Sequence, residues 1–576
     1  MERTSPSEAP SSGAEVLMEV TTPSEEDLPP KGRGRGRGRG SSRGRAASSS
    51  NHPKPKRAIC KRRGRGKKSE TLRSLAAAPK QPDDMATEET SVSEETGRIA
   101  AAATRTQHWV RGAEEVSSSE EDYATPVAAD SHSMPSSSGV FAYATWLVGL
   151  LTEEQRQKLT CQFTWMDLCA GLGTPYIAYE ALRHGMLPYG IIPKGECTGL
   201  TEKSPDRRAA LRRRANHADG SAPIFVSNSA LTSRTPNDDQ GNPRDLPIAD
   251  HLFMGIVCVD ISTETSTPKS LTDETGATGQ CWLGFLAYLD LLHFEERPLT
   301  IVLECVQRLD HNRSVQGRIE KGTLLVIEAL KERGYVGQWR KVSPTSFFLP
   351  QRRPRVWALF LKVRGGLGPN AIRDRDRGLA EAFAFIQSSQ TRSHEPLRRL
   401  LERTPTLPVS RPTKQARGGQ GWRTTLGPNF QRQHGLSDDE VRHGQNEFDQ
   451  ATADVLLPRQ QAGVWLELCK LRKKGQIPNW KSGVFVSDCG SSVGRLSVTK
   501  EMFPCVRPGN VYLVLNHGTP NLAQGRLCMA VQGIGPDEAK AFDLHLEEDS
   551  ALRQLAGNAF CANTCLVFLV AALLSA

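Results

Sequence analysis

From about residue 139 onward, short apolar runs alternate with stretches in which apolar residues return every third or fourth position. Residues 163–168 form the first run, and a glycine turn then leads into a helix expected over about 175–184. Further strands are predicted at 198–202, 224–226, 252–259 and 299–306. Between the second and third, Ser204 ahead of Pro205 makes a helix start, a capping hydroxyl followed by a residue whose missing N–H the first turn does not need. Trp282, Phe285, Leu286 and Leu289 stand at i, i+3, i+4 and i+7, the spacing of an amphipathic helix, and another helix is predicted around 323–331. Strands alternating with helices at this interval predict an α/β fold built on a doubly wound, mostly parallel sheet. Residues 335–342 and 356–363 read as a closing hairpin. Past Gly365 the pattern loosens into loops and isolated helices up to about Asp543, and 551–576 regains a strong helical apolar pattern.

Residues 1–138 have a different texture, rich in Ser, Pro, Gly and charge, with few large apolar side chains. Burial there cannot offset ordering entropy, so a disordered tail is expected. It carries Arg-Gly repeats between Arg33 and Arg39 and a second basic block between Lys54 and Lys68. The formal net charge of the 576-residue chain is +10, which favours a polyanionic partner without identifying one. Glycine-spaced guanidinium groups suit a phosphate backbone, and the second block reads as a nuclear import signal; a merely solvated tail fits the same composition. An acidic run follows, Ser117, Ser118 and Ser119 ahead of Glu120, Glu121 and Asp122. Thirteen cysteines include no Cys-x-x-Cys pair, and Cys561 and Cys565 have no histidine beside them, which argues against a metal site. Scattered cysteines suit a reducing compartment, and the nucleus is the expected one. The N-terminus is polar, and the apolar stretch 565–576 is shorter than the roughly 20 residues of a membrane helix, so no membrane association is expected.

Ligands of doubly wound sheets bind outside the carboxyl ends of the strands, so the residues just after each strand are the informative ones. The first strand ends in Asp167-Leu168-Cys169-Ala170-Gly171-Leu172-Gly173, a turn in which glycines let the backbone approach a ligand. A dinucleotide fingerprint would need a further glycine at Tyr176. The second strand ends at Glu202, a carboxylate able to accept from two ribose hydroxyls. The fourth ends in Gly255-Ile256-Val257-Cys258-Val259-Asp260-Ile261-Ser262, where Cys258 is either a small core residue or an activated thiolate. The fifth ends in Glu304-Cys305-Val306, an acid in an apolar run that must be paired or protonated. In Gln351-Arg352-Arg353-Pro354-Arg355, strand alternation puts Arg353 and Arg355 on one face.

Taken in order, these segments resemble the cytosine-C5 methyltransferase family, over residues 167–559. The glycine turn resembles that family's S-adenosylmethionine loop, residues 255–262 its nucleophile loop, and Glu304-Cys305-Val306 its Glu-Asn-Val. Gln351 to Arg355 matches its Gln-x-Arg-x-Arg, and Gly557-Asn558-Ala559 the Gly-Asn-Ala that begins its last helix. The resemblance implies four segments: the tail at 1–138, a catalytic domain at 139–364, a target-recognition region at 365–544, and a C-terminal segment at 545–576 returning beside the first strand.

The same resemblance implies methyl transfer from S-adenosylmethionine to C5 of cytosine in DNA. Cys258 would add to C6 and Glu304 would hydrogen-bond N3, while Arg355 would contact the base carbonyl and Arg353 would hold Glu304. Neighbouring guanidinium charge would favour the Cys258 thiolate. Asp167, Leu168, Gly171, Gly173, Glu202, Asn228 and Asn558 would line the cofactor pocket, Asn228 reading the adenine amino group. Ile256 and Val257 replace the family's two prolines, Val259 its glutamine, Cys305 its asparagine, and Cys169 the aromatic residue that packs on adenine. Two alternatives stay open: a catalytically degenerate DNA- or chromatin-binding relative, and an RNA cytosine-C5 methyltransferase.

Overall fold

The computed structural model describes residues 134–215, 222–262, 269–315, 318–363, 368–404, 421–490 and 496–576. The basic blocks and the acidic run lie outside the described residues, as does all but the last part of the expected disordered tail.

Nine strands belong to the first part of the described chain: β1 Gln162–Leu168, β2 Lys194–Thr201, β3 Ile224–Phe225, β4 His251–Gly255, β5 Thr300–Val306, β6 Asn312–Val315, β7 Arg318–Lys321, β8 Tyr335–Val342 and β9 Arg355–Lys362. Seven form one sheet in the order β3-β2-β1-β4-β5-β9-β8, and β6 with β7 makes a separate hairpin. β3, β2, β1, β4 and β5 run parallel, and β9 runs antiparallel to both neighbours. The mostly parallel, doubly wound sheet predicted from the alternation is thus present, with the closing hairpin in place. The order reverses between β1 and β4, which opens a crevice at their carboxyl ends.

Period-two alternation sorts the strand residues between two cores. Met166, Leu168, Leu252, Met254, Ile301, Leu303, Cys305, Val356, Ala358 and Phe360 face one core, with the helix Ala277–Leu291. Phe163, Trp165, Phe253, Val302, Trp357, Leu359 and Leu361 face the other, beneath the helices Val140–Gly149, Thr174–Met186 and Ala562–Ser575. Asp167, Glu304 and Arg355 fall on the same alternation as this second set, so all three polar groups lie on the face that the last helix covers.

The stretch after residue 365 is more ordered than its sequence pattern suggests. The helix Pro369–Ser388 buries Leu379, Ala382, Phe383 and Ile386 in the second core, with Phe383 edge-on to Phe568. Strands β10 Val484–Asp488, β11 Val498–Lys500, β12 Tyr512–Asn516 and β13 Thr519–Leu522 form an antiparallel sheet in the order β11-β10-β12-β13. One side of it, Val484, Val486, Tyr512 and Val514, belongs to the second core of the main sheet. The other side, Phe485, Leu513 and Leu515, packs with Phe448, Trp465 and Trp480 in a core of its own.

The C-terminal segment is two helices, Asp549–Asn558 and Ala562–Ser575, bent by 41°. Gly557-Asn558-Ala559 therefore closes the first helix, where it was expected to begin the last. Among the described residues no single helix is long and apolar enough to cross a membrane. Trp357 of β9 fixes the final segment, with ring centroids 5.3 Å from Phe560 and 4.8 Å from Phe568. Replacing it by alanine removes both ring contacts from a buried site. Trp357→Ala is expected to cost about 3–5 kcal/mol, seen as a clear drop in the chemical denaturation midpoint; a midpoint near that of the parent would refute this role for the indole.

Candidate active site

The site is assembled by register. β4 and β5 pair with Gly255 opposite Glu304, and β5 and β9 pair with Val306 opposite Arg355. The Ile256 N–H extends the β4–β5 ladder one step by donating to the Glu304 carbonyl at 2.9 Å. The chain then turns back on Cys258, whose carbonyl accepts from the N–H groups of Ile261 (3.1 Å) and Ser262 (2.8 Å). Cys258 is half-buried and Val259 is 55% exposed.

Two devices hold this loop without prolines. The buried Ile256 anchors it in the core, and Asp260 Oδ2 accepts from the Thr278 N–H at 2.7 Å, tying it to the start of the helix Ala277–Leu291. The Cys305 thiol points at the Ile256 carbonyl (3.8 Å), a weak S–H···O contact.

Glu304 is 9% exposed and pairs with Arg355, Nε to Oε1 at 3.0 Å. Arg355 also donates from Nη2 to Cys505 Sγ at 3.4 Å. Arg353 does not reach Glu304. Its Nη1 donates to the Val506 carbonyl (3.0 Å) and its Nη2 to the Ala559 carbonyl (2.9 Å). The expected division of labour is therefore corrected: Arg355 holds the acid, and Arg353 clamps two backbone segments. The physical reason is reach, because Arg353 precedes β9 at a point where two bare carbonyls converge.

Burial pushes the Cys258 thiol up, and the Glu304 charge pushes the same way; Arg355 and Arg353 pull down without prevailing. Guanidinium charge does favour the Cys258 thiolate as expected, but in the free protein burial and Glu304 outweigh it. Cys505 behaves oppositely. Burial would raise it, but Arg355, Arg353, the Arg355 hydrogen bond and Arg507 together hold it below the ordinary thiol value. Burial also opposes charge on Arg355, yet Cys505 and Glu304 leave its pKa raised. Cys505 was not among the sequence candidates. No local signal marks it, since its contact with Arg355 spans 150 residues.

At the carboxyl ends of β1 and β2 the glycine turn is held by the protein's own acids. The Gly171 N–H donates to Glu202 Oε2 (2.9 Å), while Oε1 accepts from the Ser204 N–H (2.8 Å) and pairs with Arg207 (3.1 Å). Gly171 has φ +56°, and a Cβ there would lie 2.6 Å from the Asn558 carbonyl oxygen, so no side chain fits. Asn558 thus sits against the turn, and Gly173 (φ 75°) leads into the helix Thr174–Met186. Leu168 is wholly buried in the first core, which leaves only its backbone for the turn. Asn228 is 2% exposed: Oδ1 accepts from Thr201 Oγ1 at 2.7 Å, and Nδ2 donates to the Cys281 carbonyl at 3.0 Å. It braces the site from behind.

Asp167 is buried with neither carboxyl oxygen hydrogen-bonded, as is the Thr174 hydroxyl. Burial, and then Glu202, push the Asp167 carboxyl well above the usual carboxylate range. Two acids at a strained glycine turn, one of them orphaned, fit a ligand that brings positive charge.

No protein-family model and no curated protein matches the chain. Among solved structures it is similar to S. pombe Dnmt2 methyltransferase (14% identity, 72% of this chain and 98% of that one, TM-score 0.34). It is also similar to a Spodoptera frugiperda DNMT2 mutant (10%, 71% and 99%, TM-score 0.33). A third is a putative DNA modification methyltransferase encoded within an E. coli prophage (14%, 71% and 98%, TM-score 0.38). At such scores these likenesses add no weight to a reading that rests on the site itself.

The opposite shifts of the two thiols set an order of reactivity. Thiolate is the reactive form, and below its pKa its fraction rises about tenfold per pH unit. As pH is raised, Cys505 is expected to be alkylated by iodoacetamide at lower pH than Cys258, and Arg355→Leu should move Cys505 upward. Peptide mass spectrometry across a pH series reads both. Cys258 labelling first would contradict the electrostatics described.

Proposed function

We propose that this protein transfers a methyl group from S-adenosylmethionine to C5 of cytosine in DNA, by covalent addition of Cys258 to C6. The observation that carries the reading is the Glu304–Arg355 pair placed beside Cys258, at the same sheet edge as the acidic glycine turn. C5 of cytosine is a weak nucleophile. Adding the Cys258 sulfur at C6 breaks the ring's 5,6 double bond and turns C5 into an enamine-like carbon. Glu304 shares a proton with N3, and Arg355, bound to Glu304, spreads the charge that develops there. S-adenosylmethionine, when bound, supplies the methyl group as an electrophilic carbon on a sulfonium. Loss of the C5 proton and departure of the Cys258 sulfur restore the ring.

The residues of the turn suit that cofactor. Glu202 offers negative charge to a sulfonium or an ammonium, Asp167 is an acid that such a cation would help to ionise, and Gly171 and Gly173 keep the backbone bare. Reaching the base requires its extrusion from a duplex, at a cost of a few kcal/mol. The small antiparallel sheet and the basic residues of the tail are the parts offered for the compensating contacts. A specific observation favours a second reading, a nucleic-acid-binding relative that does not turn over: the upward shift of the Cys258 thiol leaves little thiolate in the free protein.

Duplex DNA carrying 5-fluorocytosine decides between the two readings, because C5 then has no proton to lose and the adduct persists. A covalent complex that requires S-adenosylmethionine and is absent in Cys258→Ser is expected, with Glu304→Gln slowing its formation about 10²–10⁴-fold. Absence of adduct on DNA and on a fluorocytosine-containing structured RNA would leave the binding-only reading. An adduct on RNA alone would move the substrate to RNA.

A further inference from the structure

One pair of thiols at this edge takes no part in the proposed reaction. Cys169 belongs to the turn after β1, and Cys281 to the helix Ala277–Leu291. They are 112 residues apart in sequence, yet their sulfurs lie 3.2 Å from one another. Cys169 has φ +59°, a left-handed backbone that a non-glycine residue adopts only when its surroundings hold it there. Its N–H donates to Thr201 Oγ1 (2.8 Å), and its thiol faces Asn228 Oδ1 (3.7 Å). Asn228 Nδ2 reaches Cys281 on the other side, at 3.0 Å to the carbonyl and 3.5 Å to the sulfur. Both residues are half-buried.

We propose that Cys169 and Cys281 are an oxidisable pair that closes to a disulfide and, in doing so, weakens cofactor binding at the adjoining turn. The first half stands on geometry alone; the second rests on the function proposed above.

A disulfide needs its sulfurs at about 2.05 Å, so the pair must close by a little over 1 Å. One partner is prepared for attack. The hydrogen bond from Cys169 holds Cys281 below the ordinary thiol value against the effect of burial, and the Val257 N–H aimed at the same sulfur helps; Cys169, the donor, is held well up. With a peroxide as oxidant, the Cys281 thiolate attacks one peroxide oxygen and becomes a sulfenic acid, releasing hydroxide. The Cys169 sulfur then displaces that hydroxyl, forming the S–S bond. Its proton and the expelled hydroxide leave as water. Two thiols and one peroxide give one disulfide and two waters.

The consequence follows from what the sulfurs touch. Cys169 is two residues from Gly171, so the cross-link ties the glycine turn covalently to the helix Ala277–Leu291. Cys281 as a thiolate accepts from Val257, the residue before Cys258, and a disulfide sulfur accepts far more weakly. Oxidation therefore fixes the turn and loosens the support of the nucleophile loop in one step.

The full chain is to be treated with about one equivalent of hydrogen peroxide, blocked with an alkylating agent and mapped without reduction. In parallel, S-adenosylmethionine binding is measured by calorimetry before oxidation, after it, and after dithiothreitol. The expected result is a dominant Cys169–Cys281 cross-linked peptide and a Kd at least about fivefold higher, restored by the reductant and insensitive to peroxide in Cys281→Ser. Peroxide consumed at Cys258, Cys505 or the exposed Cys161 with no such peptide would overturn the pair. A cross-link that leaves the Kd unchanged would overturn its effect on binding. Reduced protein that binds no S-adenosylmethionine would count against the proposed function, and the peptide map of the parent chain would then judge the pair on its own.

Discussion

A carboxylate near the end of an apolar strand has to be paired, and most of the site is built around how that is done. β5 reads Thr-Ile-Val-Leu-Glu-Cys-Val, and its Glu304 is nearly buried. Taking such a charge out of water costs several kcal/mol unless a partner meets it with good geometry. Arg355 meets it because β9 runs antiparallel to β5 and starts where β5 ends, so the first residue of one strand lies opposite the last of the other. A parallel neighbour would begin at the far edge of the sheet. The one antiparallel strand among its parallel neighbours is thus what delivers a cation to the carboxyl edge. Arg355 Nη2 reaches Cys505 and Nη1 the Pro354 carbonyl, and Arg353 grips Val506 and Ala559, so two arginines fasten β9, the small sheet and the C-terminal segment to one point.

What could be read from the chain, and what could not, follows from the range of the interactions. β1, β2, β4, β5 and the β8–β9 hairpin are legible because their apolar runs are long enough to show a period and are bounded by glycine or polar turns. β4 stops at Gly255, short of the run ending at Val259, because the chain turns back on the Cys258 carbonyl. β10 to β13 were missed: they are three to five residues long, and the connecting sequence carries no period of its own. Cys258, Glu304 and the two arginines were found from their places at strand ends. Their partners were not, since whether Arg353 or Arg355 faces Glu304 depends on β5–β9 register. Glu202 and Asn228 were identified as positions, but their internal partners Ser204, Gly171, Thr201 and Cys281 could not be read from the sequence.

Several positions that a methyltransferase-like sequence would fill with proline, asparagine or an aromatic ring hold aliphatic residues or cysteine here, and the structure shows what replaces their function. Ile256 supplies burial where a proline would supply rigidity, and Asp260 adds a cap on the following helix. Cys305 directs a weak thiol donor at the Ile256 carbonyl. Cys169 gives up the ring face and gains a sulfur neighbour. The loop around Cys258 then depends more on its two anchors, and less on its own covalent stiffness, than prolines would make it.

That dependence bears on how a thiol held up by burial and by Glu304 could act as a nucleophile. Two influences raise Cys258, the low-dielectric setting and the Glu304 charge; three lower it, Arg355, Arg353 and a hydrogen bond from its own backbone. In the proposed reaction a cytosine ring entering the site shares a proton with Glu304 through N3, and the carboxyl charge facing the sulfur is then partly compensated. The arginines do not leave, because Arg353 is tied to backbone and Arg355 also to Cys505. The balance at the sulfur shifts toward thiolate at the moment the C6 position arrives beside it. On the proposed reaction a thiol tuned in this way would be quiet in the free protein and activated by the ring it attacks, and the upward shift would then be a form of selectivity for a ring that presents a basic nitrogen to Glu304.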